Sequence, residues 1–489
     1  MRRLFTAVAL LAAWSLPALA QPARLTVGQT FMAASVDPAE GSAGWALTSH
    51  GVGETLFTVD AEGQVTGQLA ESLRRDSDGS WIVVLRPDRR FADGASVTAA
   101  DVAASLGRTN EKNAAARASV GRMTFTVLAD RRVRIASERP TPVMAAVLAE
   151  WPFVIYRLAP NPVFSGPYMV ESLRPGDGLS LQPNPYFPGA AGRAAVALKR
   201  FPDAQTMAVA LEGGELDLAF NLPAESVPRL KSRPAVTVKS FLVGYQYMMV
   251  MNTRRDGLAD ARVRRAIDLG INRGQLAQAV HGGEPATGAF PRGLPFALTE
   301  TRPFDVSAAN KLLDDAGWRR GADGRRSKDG KALQLALVAY PQRADLVTFQ
   351  PVIRAQLAAL GIGIQTRVVD NAGAVGAAGD FDLLLWAQHT APAGDPGFFL
   401  NAMFRTGGGN NFAGFSSAAV DAQLDRLAET ADLAARAALA GDIQREVFAA
   451  APVSFLLTPA WHVGLGPRLA QYEPWGSDYH VVRADLLPR

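Results

Sequence analysis

The side chains best suited to chemistry are scattered along this sequence. The five histidines, His50, His281, His389, His462 and His480, lie far apart and form no HxxxH or HxH pair. No short segment can therefore present two imidazoles to one metal. Cysteine is absent, which removes disulfides, thiolate metal sites, iron–sulfur clusters and thiol catalysis. No G-x-S-x-G elbow, H-E-x-x-H helix, Walker loop or G-x-G-x-x-G turn is found. Gly407-Gly-Gly-Asn-Asn411 has the composition of a phosphate cradle, but it follows no strand directly and lacks the P-loop lysine. The pair Asp314-Asp315 is expected on a solvated helix surface. With no nucleophile–base pair standing out, the sequence assigns no catalytic residue and implies no cofactor.

The elements that must carry any site are more legible. At 489 residues the chain is about three times a typical ~150-residue domain, and 48% apolar with 20% charged residues is ordinary globular usage. A formal charge of +4 is too small over this length to argue for nucleic acid. Met1-Arg2-Arg3 precedes a nearly unbroken apolar run from Leu4 to Leu16, and Ala18-Leu19-Ala20 offers an A-x-A site. That layout predicts a secretory signal peptide over residues 1–20, cleaved after Ala20. The run is too short for a ~30 Å hydrocarbon core, which needs about 20 residues, so the expected product is a soluble exported, periplasmic protein.

Along the mature chain a strand opens at Leu25, and short strands run from Glu54 to Arg86 with turns at Ala61–Gly63 and Ser77–Gly79. Thr98 and Asp101 form a capping-box pattern. A strand and then a helix stopped by Pro152 are expected between Arg132 and Tyr156. Asp260 caps an amphipathic helix that places Arg262, Arg264 and Arg265 mostly on its solvated side. Ser307 caps the next helix and Gly317 ends it. A helix over roughly 344–360 runs through Pro351, where a kink is expected, and leads to the strands Ile362–Val369 and Asp382–Trp386. Helices about 418–430 and 432–450 precede the strand Val453–Leu457, and the Gly-rich stretches 372–379 and 406–414 are expected as loops. Alternating strands and helices predict α/β lobes.

An ordered series of short segments then points one way. It comprises Glu54-Thr-Leu-Phe57, Leu69-Ala-Glu-Ser72, Gly79-Ser-Trp81, Phe91-Ala-Asp-Gly94, Thr98-Ala-Ala-Asp-Val102, Gly166-Pro-Tyr168, Asn184-Pro-Tyr186, Phe201-Pro-Asp-Ala-Gln-Thr206, Gly214-Glu-Leu-Asp217, Arg262-Val-Arg-Arg-Ala-Ile267 and Asp395-Pro396. Over essentially the whole mature chain this resembles the family 5 solute-binding proteins of ATP-binding-cassette (ABC) importers, which include dipeptide, oligopeptide and nickel-chelate binders. The resemblance implies a two-lobed periplasmic-binding-protein fold (α/β, type II, cluster C-like) with a hinge of two crossing strands near Tyr245–Asn252 and Phe455–Trp461. It implies lobe one over 21–244 plus 458–489, with an extra subdomain at about 41–160, and lobe two over 245–457. It further implies a monomer that serves an ABC permease and its ATPase and carries out no catalysis.

In peptide-binding members a carboxylate shortly before the Asp-Pro pair holds the peptide amino terminus, and here that position is Pro392. A buried ammonium without a carboxylate is costly. The Ala391-Pro392…Asp395-Pro396 pattern is closer to the nickel-chelate binders, with Arg405 in the segment where their pocket histidine is expected and Trp151 where an arginine is expected. The pocket residues inferred on this basis are Trp45, Trp151, Tyr245, Trp386, His389, Arg405 and Asn411. Aromatic walls with a few polar groups suit a small zwitterionic or chelated ligand. Arg405 would hold a carboxylate, and His389, on a loop leaving its strand, would donate a hydrogen bond or complete a metal's coordination. The alternatives are a di- or oligopeptide binder, a receptor that hands its ligand to a membrane sensor, and an exported enzyme with an unfamiliar site.

Overall fold

The computed structural model describes residues 24–488 apart from 61–64, 118–119 and 159–160. The signal peptide and the turn at Ala61–Gly63 lie outside the described residues. Two mixed sheets dominate. A seven-stranded sheet runs in the order Tyr168–Arg174, Gly178–Pro183, Val196–Arg200, Leu25–Gln29, Leu218–Phe220, Ala460–Leu465, Thr237–Leu242. A six-stranded sheet runs Glu284–Pro285, Val453–Thr458, Tyr245–Met251, Leu383–His389, Gln334–Ala339, Gly363–Val368. Each sheet belongs to one lobe. The first lobe also carries a four-stranded antiparallel sheet, Ala70–Arg75, Trp81–Leu85, Arg132–Ser137 and Met123–Ala129, which buries its apolar face against the helix Ala99–Lys112.

The chain passes between the two large sheets twice. Thr237–Leu242 pairs in the first sheet and Tyr245–Met251 in the second, so the outward passage is at Val243–Gly244, ahead of the 245–252 segment. The return is at Pro459, between Val453–Thr458 and Ala460–Leu465. The Val243 amide donates to the Pro459 carbonyl at 3.2 Å, so the two passages run side by side. Tyr245–Met251 is buried at every position because both of its faces are covered. Tyr247, Met249 and Met251 enter one apolar cluster, and Met248 and Val250 the opposite one, as the two-residue strand period requires.

Several local expectations are met. Thr98 and Asp101 make the reciprocal capping box, Asp260 caps Ala261–Leu269, and Ala344–Ala359 contains Pro351. Others are corrected. Arg264 is only 6% exposed, because its guanidinium donates to the carbonyls of Leu258, Ala259, Ala450 and Ala451. Asp305, not Ser307, caps Val306–Asp315. Residues 372–378 form a helix and not a loop: Asn371 caps it, and Gly379 ends it at φ 70°. Asp314 is not simply solvated, since it pairs with the buried Arg326 at 2.8 Å. Before Pro152 the helix is a single turn, Met144–Val147, and Pro152 itself lies inside a 3-10 turn, Trp151–Phe153.

Candidate functional site at the lobe junction

At the junction, the loop Tyr340–Arg343 of the second lobe enters the first. Arg343 pairs with Asp478 of the C-terminal segment at 2.7 Å, and the Asp478 side chain is fully buried. The other Asp478 oxygen accepts from the Tyr245 hydroxyl at 2.7 Å and from Trp45 Nε1 at 3.4 Å. The Arg343 guanidinium carbon lies 4.7 Å from the Trp461 ring centre, 5.3 Å from Tyr245 and 5.9 Å from Phe31. Trp45 stacks on Phe31 at 4.5 Å. A cation is thus enclosed by aromatic faces and one carboxylate, each contributing attraction that is strong only because water is excluded. The Thr30 hydroxyl adds a further bond between lobes, donating to the Gln342 carbonyl at 3.1 Å.

His389 is the last residue of its strand, paired with Tyr245, and not part of a loop. Its ring lies 5.3 Å from both Tyr245 and Tyr479. Burial, with His480 adding, pushes it down to about 3, so the imidazole is neutral at physiological pH. Its Nδ1 is buried without a hydrogen-bond partner among the described residues, as are Arg343 Nη1 and Thr390 Oγ1. Buried polar atoms are almost always satisfied. Three that are not, on residues at the lobe junction, are groups that a ligand could satisfy.

Gly244 is packed against this histidine: a Cβ there would lie 2.5 Å from His389 Nε2. Gly244→Ala is therefore expected to overpack the hinge by about 1–3 kcal/mol, lowering the melting temperature by a few degrees. A melt identical to wild type would show that the ring yields freely.

The inferred pocket residues divide into two groups. Trp45 and Tyr245 meet around Asp478 and His389 packs against Tyr245, with Trp151 bordering them by lying against Gly44 of the helix Ala43–Ser49. Trp386 takes the opposite face of its strand from His389. It packs with Tyr340 and Phe412, and its Nε1 donates to Gln388. Arg405 is not a spare cation, since it pairs with Asp425 at 2.9 Å and donates to Asn401. Its Nη2 nevertheless remains buried and unpartnered among the described residues. Asn411 is engaged in closing its own loop, bonding the Arg405 carbonyl and both backbone groups of Phe415. Arg139, in the subdomain of the first lobe, is pressed down by burial and then by the charge of Arg405. Asp425, Glu138 and Asp421 act on it in the opposite direction, so charges of both signs face each other at this end.

Sequence reasoning missed Phe31, Glu150, Arg343, Asp478 and Tyr479. Glu150 had a readable signal: it is the sole charged residue between Thr141 and Tyr156. Among the described residues no group of three or more His, Asp or Glu side chains could hold a metal ion by itself. No helix there is long and apolar enough to cross a membrane.

This architecture is shared. The chain is 23% identical over 443 residues to the nickel-binding protein NikA of Staphylococcus aureus, covering 88% of each. The crystal structure of that protein with Ni(L-His)2 superposes with a TM-score of 0.87 at 20% identity, covering 95% of this chain and 100% of the other. The oligopeptide-binding protein AppA of Bacillus subtilis, solved with a nonapeptide, gives 0.79 at 18% identity, covering 94% and 97%. The family model for bacterial extracellular solute-binding proteins, family 5, matches residues 64–411. Two lobes, a double-stranded hinge and a match over most of the sequence lead to one conclusion: the chain belongs to the family 5 bacterial extracellular solute-binding proteins.

Proposed function

We propose that this protein is the periplasmic binding component of an ABC-type importer, exported by a signal peptide cleaved after Ala20. Residues 21–244 with 458–489 close on residues 245–457 around a small metal chelate, an opine-like compound or another anionic small molecule. The closed form then delivers its ligand to a membrane permease and its ATPase, with no catalytic step. The observation that carries the reading is the set of buried, unsatisfied atoms Arg343 Nη1, His389 Nδ1 and Thr390 Oγ1 at the lobe junction. The nickel-binding relative supports a chelate, which a neutral His389 could help to ligate. A peptide remains the second reading, favoured by the buried Glu150 carboxylate, an acid that could take the role denied by Pro392.

In this reading the unpartnered Nη2 of Arg405 holds a ligand carboxylate through a charge-assisted bond worth ~1.5–3 kcal/mol. Arg405→Ala is then expected to weaken binding roughly 10- to 150-fold. Its effect on stability should be about 1–3 kcal/mol, from the buried Asn401 side-chain carbonyl that loses its donor, and little from Asp425, which is 61% exposed. Calorimetry with Ni(II)–L-histidine, dicarboxylates and di- and tripeptides tests this. Micromolar binding of ordinary peptides, with Arg405→Ala equal to wild type, restores the peptide reading.

A further inference from the structure

Glu150 takes part in none of the contacts described at the lobe junction, yet it is 2% exposed. Its Oε2 is buried without a hydrogen-bond partner among the described residues. It lines a cavity of about 30 Å³ between the first lobe's subdomain and the second lobe, together with Thr141, Asp395, Asn401 and Arg436. That is about twice the 10–15 Å³ that one water needs, and so holds an ammonium-sized group. Asp395 in this wall is already neutralised, because Arg436 pairs with it at 2.5 Å. The local charge balance is therefore set by Glu150, which is left negative when ionised.

The neighbours make the carboxylate uncomfortable as it stands. Burial first, and then the charge of Asp395, hold Glu150 well above the usual carboxylate range, and its own charge helps to push up the nearby Tyr479 phenol. Tyr479 in turn contacts His389 of the lobe-junction group. An isolated buried acid is unfavourable unless something compensates it. No described cation is paired with it, and the surfaces on its two sides belong to different lobes. A compensating cation would be enclosed only when the lobes close.

We infer that Glu150 is the receptor for a cationic nitrogen of the ligand, so that the captured molecule is a zwitterion with one ammonium in the Glu150 cavity and a carboxylate toward the unpartnered Nη2 of Arg405. This rests on the reading that a ligand is held between the lobes, and it narrows that ligand's chemical class. Opine-type molecules, in which one secondary ammonium joins two carboxylate arms, and amino-acid dicarboxylates both meet the requirement. A fully coordinated metal chelate does not, because its amines are bound to the metal.

The test uses the full chain with matched pairs of probes: L-glutamate, L-histidine and N-(1-carboxyethyl) amino acids, each against its N-acetyl counterpart, plus Ni(II)–L-histidine and trialanine. Calorimetry on wild type is expected to show at least about tenfold tighter binding of the ammonium form in a pair. Glu150→Gln, which keeps the shape of the neutral acid, is expected to erase that preference. Equal binding within every pair, or a preference that survives Glu150→Gln, overturns the inference and leaves capture between the lobes standing. Binding of the chelate alone, equal in wild type and variant, does the same. No binding by any probe counts against both readings. The pairs report on wild type, so the result stands even where the variant folds poorly.

Discussion

Replacing Asp478 with asparagine is expected to open the molecule without unfolding either lobe. Asp478 is the acceptor for Arg343, Tyr245 and Trp45 at once. Removing its charge leaves the Arg343 guanidinium, 8% exposed, facing aromatic rings alone. Losing one partner of a buried ion pair costs about 3–5 kcal/mol. The two residues sit on different lobes, however, so the chain can escape the cost by separating them and rehydrating both. The penalty then falls on the closed form, whose population relative to the open form should drop by roughly 150- to 4,000-fold. Apparent ligand affinity should fall with it, since only the competent fraction binds tightly. Small-angle scattering is the measurement, with the tightest-binding probe of the panel at a concentration that saturates wild type. Asp478→Asn should keep a larger radius of gyration there and lose little in melting temperature. An unchanged scattering profile, or a large loss in melting temperature with closure intact, would assign the pair to folding and not to closure.

What could be read in advance follows from how far apart the interacting partners lie. The capping box Thr98–Asp101 was legible because both of its partners fall within one turn. The caps Asp260 and Asn371 are equally local, but the second was hidden by a Gly/Ala-rich stretch that reads as a loop on composition alone. Arg264 misled for the opposite reason. Helical periodicity puts it on the edge of the polar face, but the carbonyls of Leu258 and Ala259 just before the helix and of Ala450 and Ala451, far along the chain, draw it inward.

The site divides in the same way. Trp45, Tyr245 and His389 were grouped through the family resemblance, and their side chains lie near one another in the structure. Their shared partner Asp478 lies in the last dozen residues, and Arg343 in a helix-entry loop, where nothing local marks either. Trp386 and His389 were grouped as neighbours in sequence. A spacing of three residues in a strand places them on opposite faces, which became visible once the strand was seen to run through to His389.

The largest loss of folding stability is expected from Asp268→Asn in the second lobe. Asp268 is 4% exposed. It accepts from Arg273, from Arg302 at 2.6 Å and from the Ser454 hydroxyl. Arg273 also donates to the Phe455 carbonyl at 2.6 Å, tying the helices to the strand Val453–Thr458 just before the return passage. Unlike Arg343 and Asp478, every member of this group lies in the same lobe, so no opening motion relieves a missing charge. The expected cost is therefore the full ~3–5 kcal/mol of an orphaned buried partner, or about 6–20 °C in melting temperature for a lobe of this size. The pH dependence follows from the same contacts. Burial alone would push the carboxyl up, but Arg273, Arg302 and Ser454 outweigh it and hold Asp268 below the usual carboxylate value. A carboxylate depressed in the folded state stabilises fully above its unfolded value of about 3.9, and loses that contribution as the pH falls through the folded one. Wild type and Asp268→Asn should differ most at neutral pH and converge as the pH drops below about 4. Thermal melts across that range decide it: a gap that is absent at pH 7, or that stays constant into strong acid, would mean that the charge of Asp268 does not hold the lobe together.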